Sequence, residues 1–234
     1  MEIARAEMLR VLKLAKTVKS NEAVAHAGKI TAISESTSVL FMADAPQLEK
    51  PLGMLDVNLM YSMLGKCKAD KVVGKIAQRQ LRIVDKDLEF GYKLADLEVI
   101  EVPTEEDFTS LLKTTDFSVV VKIESLMRIS DLQKTIVASE IRFIEKDNEL
   151  NVIVGKEEIH YGKVVWKDMD GDSASKMKGM DVRFLSDELI PVIDALDHDE
   201  VTVGFAFNGE KKKLMFINQK DSCWAIGAQE EVKE

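Results

Sequence analysis

The chain has 234 residues and a formal net charge of −9 at pH 7. With 46% hydrophobic and 31% charged residues, it has the composition of a folded soluble protein of one large domain or of two with about 110 residues each. No apolar run approaches the ~18 residues of a membrane span. A chain this negative is a poor candidate for wrapping nucleic acid over its whole surface, although a local basic strip remains possible.

The first predicted element is an amphipathic helix over residues 4–18. Its apolar positions repeat at helical spacing and share one side: Met8, Val11, Leu12, Ala15 and Val18. Residues 4–20 hold five basic residues and one acidic residue, a net of +4 in an otherwise negative chain. The basic side is either an ordinary solvated face or a surface for a polyanion.

A second helix is predicted from Asn58, as its N-cap, to about Lys68. Predicted strands flank this helix at 22–34, 37–43, 72–78, 80–84 and 88–95. Three lysines stand at its C-terminal end: Lys66, Lys68 and Lys71. A cation at that end also suits the helix dipole, so the dipole and a polyanion are alternative explanations for these lysines.

Residues 96–115 are acidic, contain Pro103 and lack both strand alternation and a long helical stripe, which predicts a connector. The second half then repeats the plan of the first, with a helix over 123–138 and a second helix that Ser186 caps. Its predicted strands are 117–122, 140–145, 150–154, 159–166, 180–185, 201–207, 213–218 and 222–227.

This duplication predicts an α+β protein built from two similar domains. The first domain would cover residues 1–97, the interdomain connector 98–115 and the second domain 116–234. Each domain would pack two helices on one side of antiparallel sheets.

Motifs for catalysis are missing from the sequence. It has no GxxxxGK[ST] or GxGxxG loop and no HExxH, its three histidines are scattered, and its two cysteines lack zinc spacing. Residues 168–172 resemble the start of a calcium loop, but the glycine and glutamate that such a loop needs are not at their positions. No catalytic residue, metal or cofactor is therefore predicted, and the protein is predicted not to be an enzyme.

The stretch from Phe90 to Pro103, FGYKLADLEVIEVP, resembles the junction of first domain and connector in DNA sliding clamps of the proliferating cell nuclear antigen type, including archaeal and phage clamps. Ala4-Arg5 with Leu12-Lys13 is similar to that family's first helix, and Val57-Asn58-Leu59 ahead of Lys66-Cys67 to its second. The order of elements agrees along essentially the whole chain. The resemblance implies a homotrimer whose two-domain subunits join head to tail into a ring, with helices lining a hole for duplex DNA.

By that resemblance, basic residues of three helices would face DNA: Arg5, Arg10, Lys13, Lys16, Lys66, Lys68, Lys71, Arg128 and Lys134. The fourth helix departs from the pattern, because residues 186–200 hold six acidic residues and no basic residue. The phosphate contacts of such a surface are non-specific and depend on salt, so the ring would slide.

The resemblance also implies a pocket under the connector for partner peptides, lined here by Val39, Leu40, Val99, Ile100, Trp224 and Ile226. Each of these residues alone also suits an ordinary core. The joint between subunits would pair strand 88–95 with strand 159–166 of the next copy, through Phe90, Tyr92, Leu94, Tyr161, Val164 and Trp166. The implied partners are duplex DNA, DNA polymerase, a clamp loader and other replication and repair proteins with clamp-binding motifs, and no membrane.

Two other hypotheses stay open. The acidic fourth helix favours a monomeric processivity factor, or one subunit of a heteromeric checkpoint-type clamp, with the same fold. A scaffold that does not bind DNA, or an enzyme without a recognised motif, is the third. Cys67 and Cys223 lie far apart in sequence, which favours reduced thiols and an intracellular location: cytoplasm or nucleoid, a virus-infected cell, or a eukaryotic nucleus.

Overall fold

A computed structural model describes residues 1–156, 159–166, 175–208 and 213–229. The chain divides into two compact units, Met1–Asp107 and Phe108–Glu234. Both units combine helices with antiparallel sheets, so the predicted α+β class is confirmed.

Unit 1 begins with a short strand that runs directly into the first helix. Its helices are α1 (Arg5–Ala15, extended by a 3₁₀ turn, Lys16–Val18) and α2 (Val57–Lys66). Its strands are β1 (Glu2–Ala4), β2 (Ala23–His26), β3 (Lys29–Ile33), β4 (Val39–Asp44), β5 (Leu52–Met54), β6 (Lys71–Ala77), β7 (Gln80–Asp85) and β8 (Leu88–Lys93). Within the unit, β5-β2-β3-β4 and β1-β6-β7-β8 are the two antiparallel strand orders.

Helix α3 (Glu105–Leu112) spans the boundary between the units. Unit 2 then has the helices α4 (Ile123–Ile136) and α5 (Ser186–Ala195). Its strands are β9 (Phe117–Lys122), β10 (Glu140–Lys146), β11 (Glu149–Lys156), β12 (His160–Trp166), β13 (Asp181–Leu185), β14 (Glu200–Ala206), β15 (Leu214–Gln219) and β16 (Ser222–Gly227). Within this unit, the strand orders are β13-β10-β11-β12 and β9-β14-β15-β16.

The two units have the same topology. Each reads strand, helix, four strands, helix, three strands, and each strand has the same neighbours as its counterpart in the other unit. The first helix starts alike in both: the Arg5 amide donates to the Asp70 carbonyl and the Ile123 amide to the Asp199 carbonyl, each at 2.9 Å. The duplication predicted from the sequence is therefore visible in the hydrogen bonding.

Each unit has its own apolar core between helices and sheets. Helix α1 and its 3₁₀ turn bury all five residues of the predicted apolar stripe: Met8, Val11, Leu12, Ala15 and Val18. They also bury Leu14, which the stripe does not include. In unit 2 the core is aromatic. Phe143 of β10 lies 5.9 Å from Trp166, 5.8 Å from Phe184 and 5.3 Å from Phe205, measured between ring centroids.

Several predicted boundaries are wrong. The segment 22–34 is two strands, because Ala27 and Gly28 have φ of 49° and 78° and form a two-residue hairpin turn. The N-cap of α2 is Asp56, whose side chain accepts from the Leu59 amide at 2.8 Å, so Asn58 lies inside the helix. Ser186 is the first helical residue of α5 and makes no capping bond.

The predicted connector also contains helix α3, where no helix is predicted from the sequence. A capping box starts it: the Thr104 hydroxyl accepts from the Asp107 amide at 3.2 Å, and the Asp107 carboxylate accepts from the Thr104 amide at 2.8 Å. Residues 168–172, which resemble the start of a calcium loop but lack its glycine and glutamate, lie outside the described residues.

Candidate nucleic-acid interface

In unit 1, helices α1 and α2 pack side by side and form one basic surface. The guanidinium of Arg5 donates to the carbonyl of Leu64 at 3.0 Å, which ties the start of α1 to the end of α2. The Lys16 ammonium lies 4.6 Å from the ring centroid of Tyr61, a cation–π contact from the end of α1 to the middle of α2. These contacts hold the two helices against each other.

The predicted basic residues of unit 1 are not equally placed. Lys13, Lys16, Lys66 and Lys68 are exposed, whereas Arg5 and Arg10 are half-buried. Lys71 is the first residue of β6 and pairs with Glu2 at 3.0 Å, so it is not at the end of α2 as the sequence predicts, and part of its charge is cancelled. We define the unit 1 basic face as Arg5, Arg10, Lys13, Lys16, Lys66 and Lys68.

A buried carboxylate fixes the loop that follows α2. Asp85 is 6% exposed, and one of its oxygens accepts from the amides of Lys68 and of Ala69, the latter at 3.2 Å. The hydrogen bond from the Lys68 amide is the main reason that the pKa of Asp85 lies below its ordinary value, and nearby Lys86 and Arg5 act in the same direction. The ionised carboxylate therefore positions the loop that carries Lys68.

Replacing Asp85 by Asn is expected to remove an acid-sensitive part of the stability. Because the folded-state pKa of Asp85 is lowered, its contribution is present at neutral pH and is lost as the pH falls below about 4 and through the folded pKa. Urea unfolding of the wild type and of Asp85→Asn at a series of pH values would measure this, with exposed Asp87→Asn as the control for net charge. An equal acid response in wild type and Asp85→Asn would contradict the assignment.

The corresponding helices of unit 2 carry a different charge. Arg128 and Lys134 of α4 are exposed, but the Lys134 ammonium pairs with Asp194 of α5 at 2.9 Å. The same carboxylate accepts from the Ser130 hydroxyl at 2.6 Å. Helix α5 has no basic residue, as the sequence predicts, so α4 and α5 together hold two basic and five acidic residues.

The residues predicted to line a partner-peptide pocket differ in exposure. Val39, Trp224 and Ile226 are at most 1% exposed, which leaves no side-chain surface for a peptide, and Ile100 is 7% exposed. Leu40 is half-buried, and Val99 is 71% exposed. Of the six, Leu40 and Val99 are therefore the ones that a partner reaches in this structure.

Unit 1 also has a surface cavity of about 210 Å³ that the sequence does not predict. Strands β2 and β3 form one wall and residues 102–105 the other, with Val24, Val102 and Pro103 among the apolar lining residues. At its edge the Lys29 ammonium pairs with Asp44 at 2.6 Å and lies 4.0 Å from Glu105. The Asp44 hydrogen bond, with these two negative charges, raises the pKa of Lys29, so its ammonium stays charged.

Five of the six predicted joint residues lie on two edge strands, β8 and β12, and Leu94 directly follows β8. Tyr92, Leu94 and Trp166 are buried, with the Tyr92 hydroxyl donating to the Asp56 carbonyl at 3.0 Å. Phe90 and Val164 are half-buried, and Tyr161 is 52% exposed. Both strands offer an unpaired edge within their four-stranded order, which is where a second chain adds a strand.

Other chemistry has little support in the described residues. No group of three or more His, Cys, Asp or Glu side chains among them is placed to hold a metal ion. Both cysteines are unpaired and buried, and burial raises the pKa of Cys67 and that of Cys223, the latter to about 12. Neither thiol is therefore an activated nucleophile. None of the described helices is long and apolar enough to cross a membrane.

Comparison with solved structures identifies the fold as that of DNA sliding clamps. A sliding clamp from Pseudomonas aeruginosa matches with a TM-score of 0.71 at 13% sequence identity, over 98% of this chain and 65% of that chain. A DNA polymerase III β subunit from Thermotoga maritima matches with a TM-score of 0.68 at 11% identity, over 97% and 64%. A β sliding clamp from Bartonella birtlesii matches with a TM-score of 0.71 at 13% identity, over 100% of this chain and 64% of that chain.

The chain thus spans slightly less than two thirds of the length of these bacterial clamps. No family model and no curated protein matches the sequence. The similarity is therefore one of fold, and it confirms the clamp fold that the sequence predicts.

Proposed function

We propose that this protein is a DNA sliding clamp, a non-enzymatic processivity factor that encircles duplex DNA and tethers a DNA polymerase to it. The observation that carries the proposal is the clamp fold over 97% or more of the chain, together with the unit 1 basic face. The clamps that it resembles are described as DNA polymerase subunits or DNA polymerase sliding clamps.

We propose further that three copies close one ring, as in the proliferating cell nuclear antigen type. Two units of this chain cover about 65% of a bacterial clamp, so the remaining third of that chain has room for about one more unit. The two-unit plan is the one that the resemblance to the proliferating cell nuclear antigen type implies for a subunit of a three-membered ring. Copies would join through the edge strands β8 and β12.

The mechanism follows from topology and weak electrostatics. A closed ring stays on DNA without high affinity, because leaving requires an end or an opened joint. The basic side chains then need only loose contact with phosphates, which is independent of sequence and permits sliding. The clamp carries its partner along by holding it on the outside of the ring.

We propose that polymerase, clamp loader and other replication and repair proteins bind near the connector. Leu40 and Val99, the two predicted pocket residues whose side chains are accessible, remain the proposed contacts of an apolar peptide anchor in unit 1. The cavity between β2, β3 and residues 102–105 extends the apolar surface that such a peptide would find in this unit.

Topology gives the test of this function. Dilute, dissociated copies would be mixed with a nicked circular duplex, concentrated to assemble, and washed with high salt. We expect protein to remain on the circle and to be released when one restriction cut makes the DNA linear. Equal loss from circular and linear DNA would contradict a closed clamp.

A second candidate keeps the fold and changes the assembly. The acidic helix α5 favours a monomeric processivity factor or one subunit of a heteromeric clamp, since three identical copies would place three such helices in one ring. Native mass spectrometry distinguishes them: a species of three times 26.2 kDa supports the homotrimer, and a monomer at high concentration supports the alternative.

A further inference from the structure

The shared topology allows the two units to be compared position by position. The equivalent amide bonds of Arg5 and Ile123 align the first helices, so Arg10 corresponds to Arg128, Lys13 to Asp131 and Lys16 to Lys134. For the second helices, the Cys67 amide donates to the Leu64 carbonyl and the Leu196 amide to the Ile193 carbonyl, both at 3.2 Å. This alignment makes Lys68 correspond to Asp197 and Lys71 to Glu200.

Charge is reversed at three of these positions. Lys13, Lys68 and Lys71 of unit 1 are exposed, and so are the acidic residues that replace them in unit 2, namely Asp131, Asp197 and Glu200. Lys66 corresponds to Ala195, which removes another charge. The loop after the second helix is built alike in both units, because Gln219 accepts from the Asp197 amide at 3.1 Å where Asp85 accepts from the Lys68 amide. The reversal therefore changes the charge without changing the backbone that carries it.

Even the shared lysine differs in its surroundings. Lys16 rests on the Tyr61 ring, which leaves its positive charge uncompensated by that contact. Lys134 pairs with Asp194, at the position where unit 1 has Gly65. From Arg5 to Val18 and through α2, unit 1 has a net charge of +4, whereas α4 and α5 have a net charge of −3.

We infer that DNA contact is polarised within each chain: unit 1 supplies the phosphate contacts, and the equivalent helices of unit 2 repel the backbone. This inference rests on the proposed clamp function and narrows its DNA face to one half of the subunit. Arg128 and Lys134 then contribute little, although their residue types match Arg10 and Lys16. A duplex would therefore contact the unit 1 helices of each copy and not the unit 2 helices. This limits the number of phosphates bound at once and keeps the contact weak enough for sliding.

The matched pairs of equivalent residues give the experiment. Two double variants, Arg10→Ala with Lys16→Ala and Arg128→Ala with Lys134→Ala, remove the same residue types from the same helical positions of the two units. Binding of each to a short labelled duplex is measured over a range of salt concentrations. The unit 1 variant is expected to reduce the slope of log affinity against log salt by about 2, because each lost phosphate contact contributes about 0.9. The unit 2 variant should change the slope by less than half as much.

A gain of function provides the second arm. Asp131→Lys with Asp197→Lys installs the unit 1 residues in unit 2 at exposed sites and should steepen the salt dependence and tighten binding. Circular dichroism and thermal melting verify that every variant is folded. An equal reduction of the salt slope in the two alanine variants, or no tighter binding by the lysine variant, would overturn the inference that unit 1 supplies the phosphate contacts. Neither result would contradict the clamp proposal. A wild type that binds no duplex even at low salt would also overturn the inference, whereas the clamp proposal itself fails only if circular DNA does not retain the protein.

Discussion

Replacing Tyr161 by Asp is expected to convert the proposed trimer into monomers and to abolish retention on circular DNA. Tyr161 is 52% exposed on β12, an edge strand, so the isolated chain loses little by the change. In the proposed joint, however, the carboxylate would have to enter an apolar contact with β8 of the next copy. A charge on an edge strand opposes strand addition, and every joint of a symmetric ring would carry the defect.

Sedimentation velocity over a range of protein concentrations measures this effect. The matched control is Val73→Asp, which also replaces an exposed apolar side chain by a carboxylate, but on β6, between β1 and β7 and away from an edge. We expect the control to sediment like the wild type and Tyr161→Asp to sediment as a species of about 26.2 kDa. If Tyr161→Asp keeps the mass of the wild-type assembly, β12 is not the joint.

The periodicity of apolar residues predicts several helices and strands close to their observed bounds. Strands β9 and β16 have the predicted bounds, and α1 and α4 end within about two or three residues of the predicted ends. The capping box Thr104-Glu105-Glu106-Asp107 is also a local signal in the sequence and marks the start of α3. The acidic composition of the same segment favours a connector instead, which is why the sequence alone does not predict this helix.

Other features depend on contacts that no local pattern contains. Asp56 rather than Asn58 caps α2, because the Tyr92 hydroxyl, 36 residues away, accepts from the Asp56 amide at 2.9 Å and fixes the chain just before the helix. Lys134 and Asp194 are 60 residues apart, so their pairing could not be predicted from the charges of either helix alone. The sequence identifies Lys134 as a basic residue, but it does not show that the charge of Lys134 is paired.

The internal duplication was the more reliable guide, because it compares the chain with itself. It predicted two units of the same plan, and the shared topology then provides an internal reference for every charged position. The reversal from Lys13 to Asp131 has meaning only against that reference. A surface position at which the two units differ is therefore a better indication of a specialised surface than overall composition. The two units share their topology, so such a difference does not follow from packing.

Replacing Phe143 by Ala is expected to destabilise unit 2 by about 3–5 kcal/mol. Phe143 is fully buried on β10, and it contacts Trp166 and Phe184 of its own sheet and Phe205 of β14 in the other sheet of the unit. Removing the ring takes away both its buried area and three aromatic contacts, and leaves a cavity that two sheets cannot close by moving one side chain. The loss is therefore larger than for an aromatic residue at the rim of the core.

Tryptophan fluorescence during urea unfolding measures this loss in unit 2 specifically, since both tryptophans of the chain, Trp166 and Trp224, lie in that unit. Phe143→Leu is the matched control, because it keeps most of the apolar volume and should cost clearly less. Unit 1 contains neither tryptophan, so its unfolding does not mask the effect. A loss below about 1 kcal/mol for Phe143→Ala would mean that the four rings do not form the structural centre of unit 2, because only a site that collapses fully or a ring that is already partly solvated gives so small a cost.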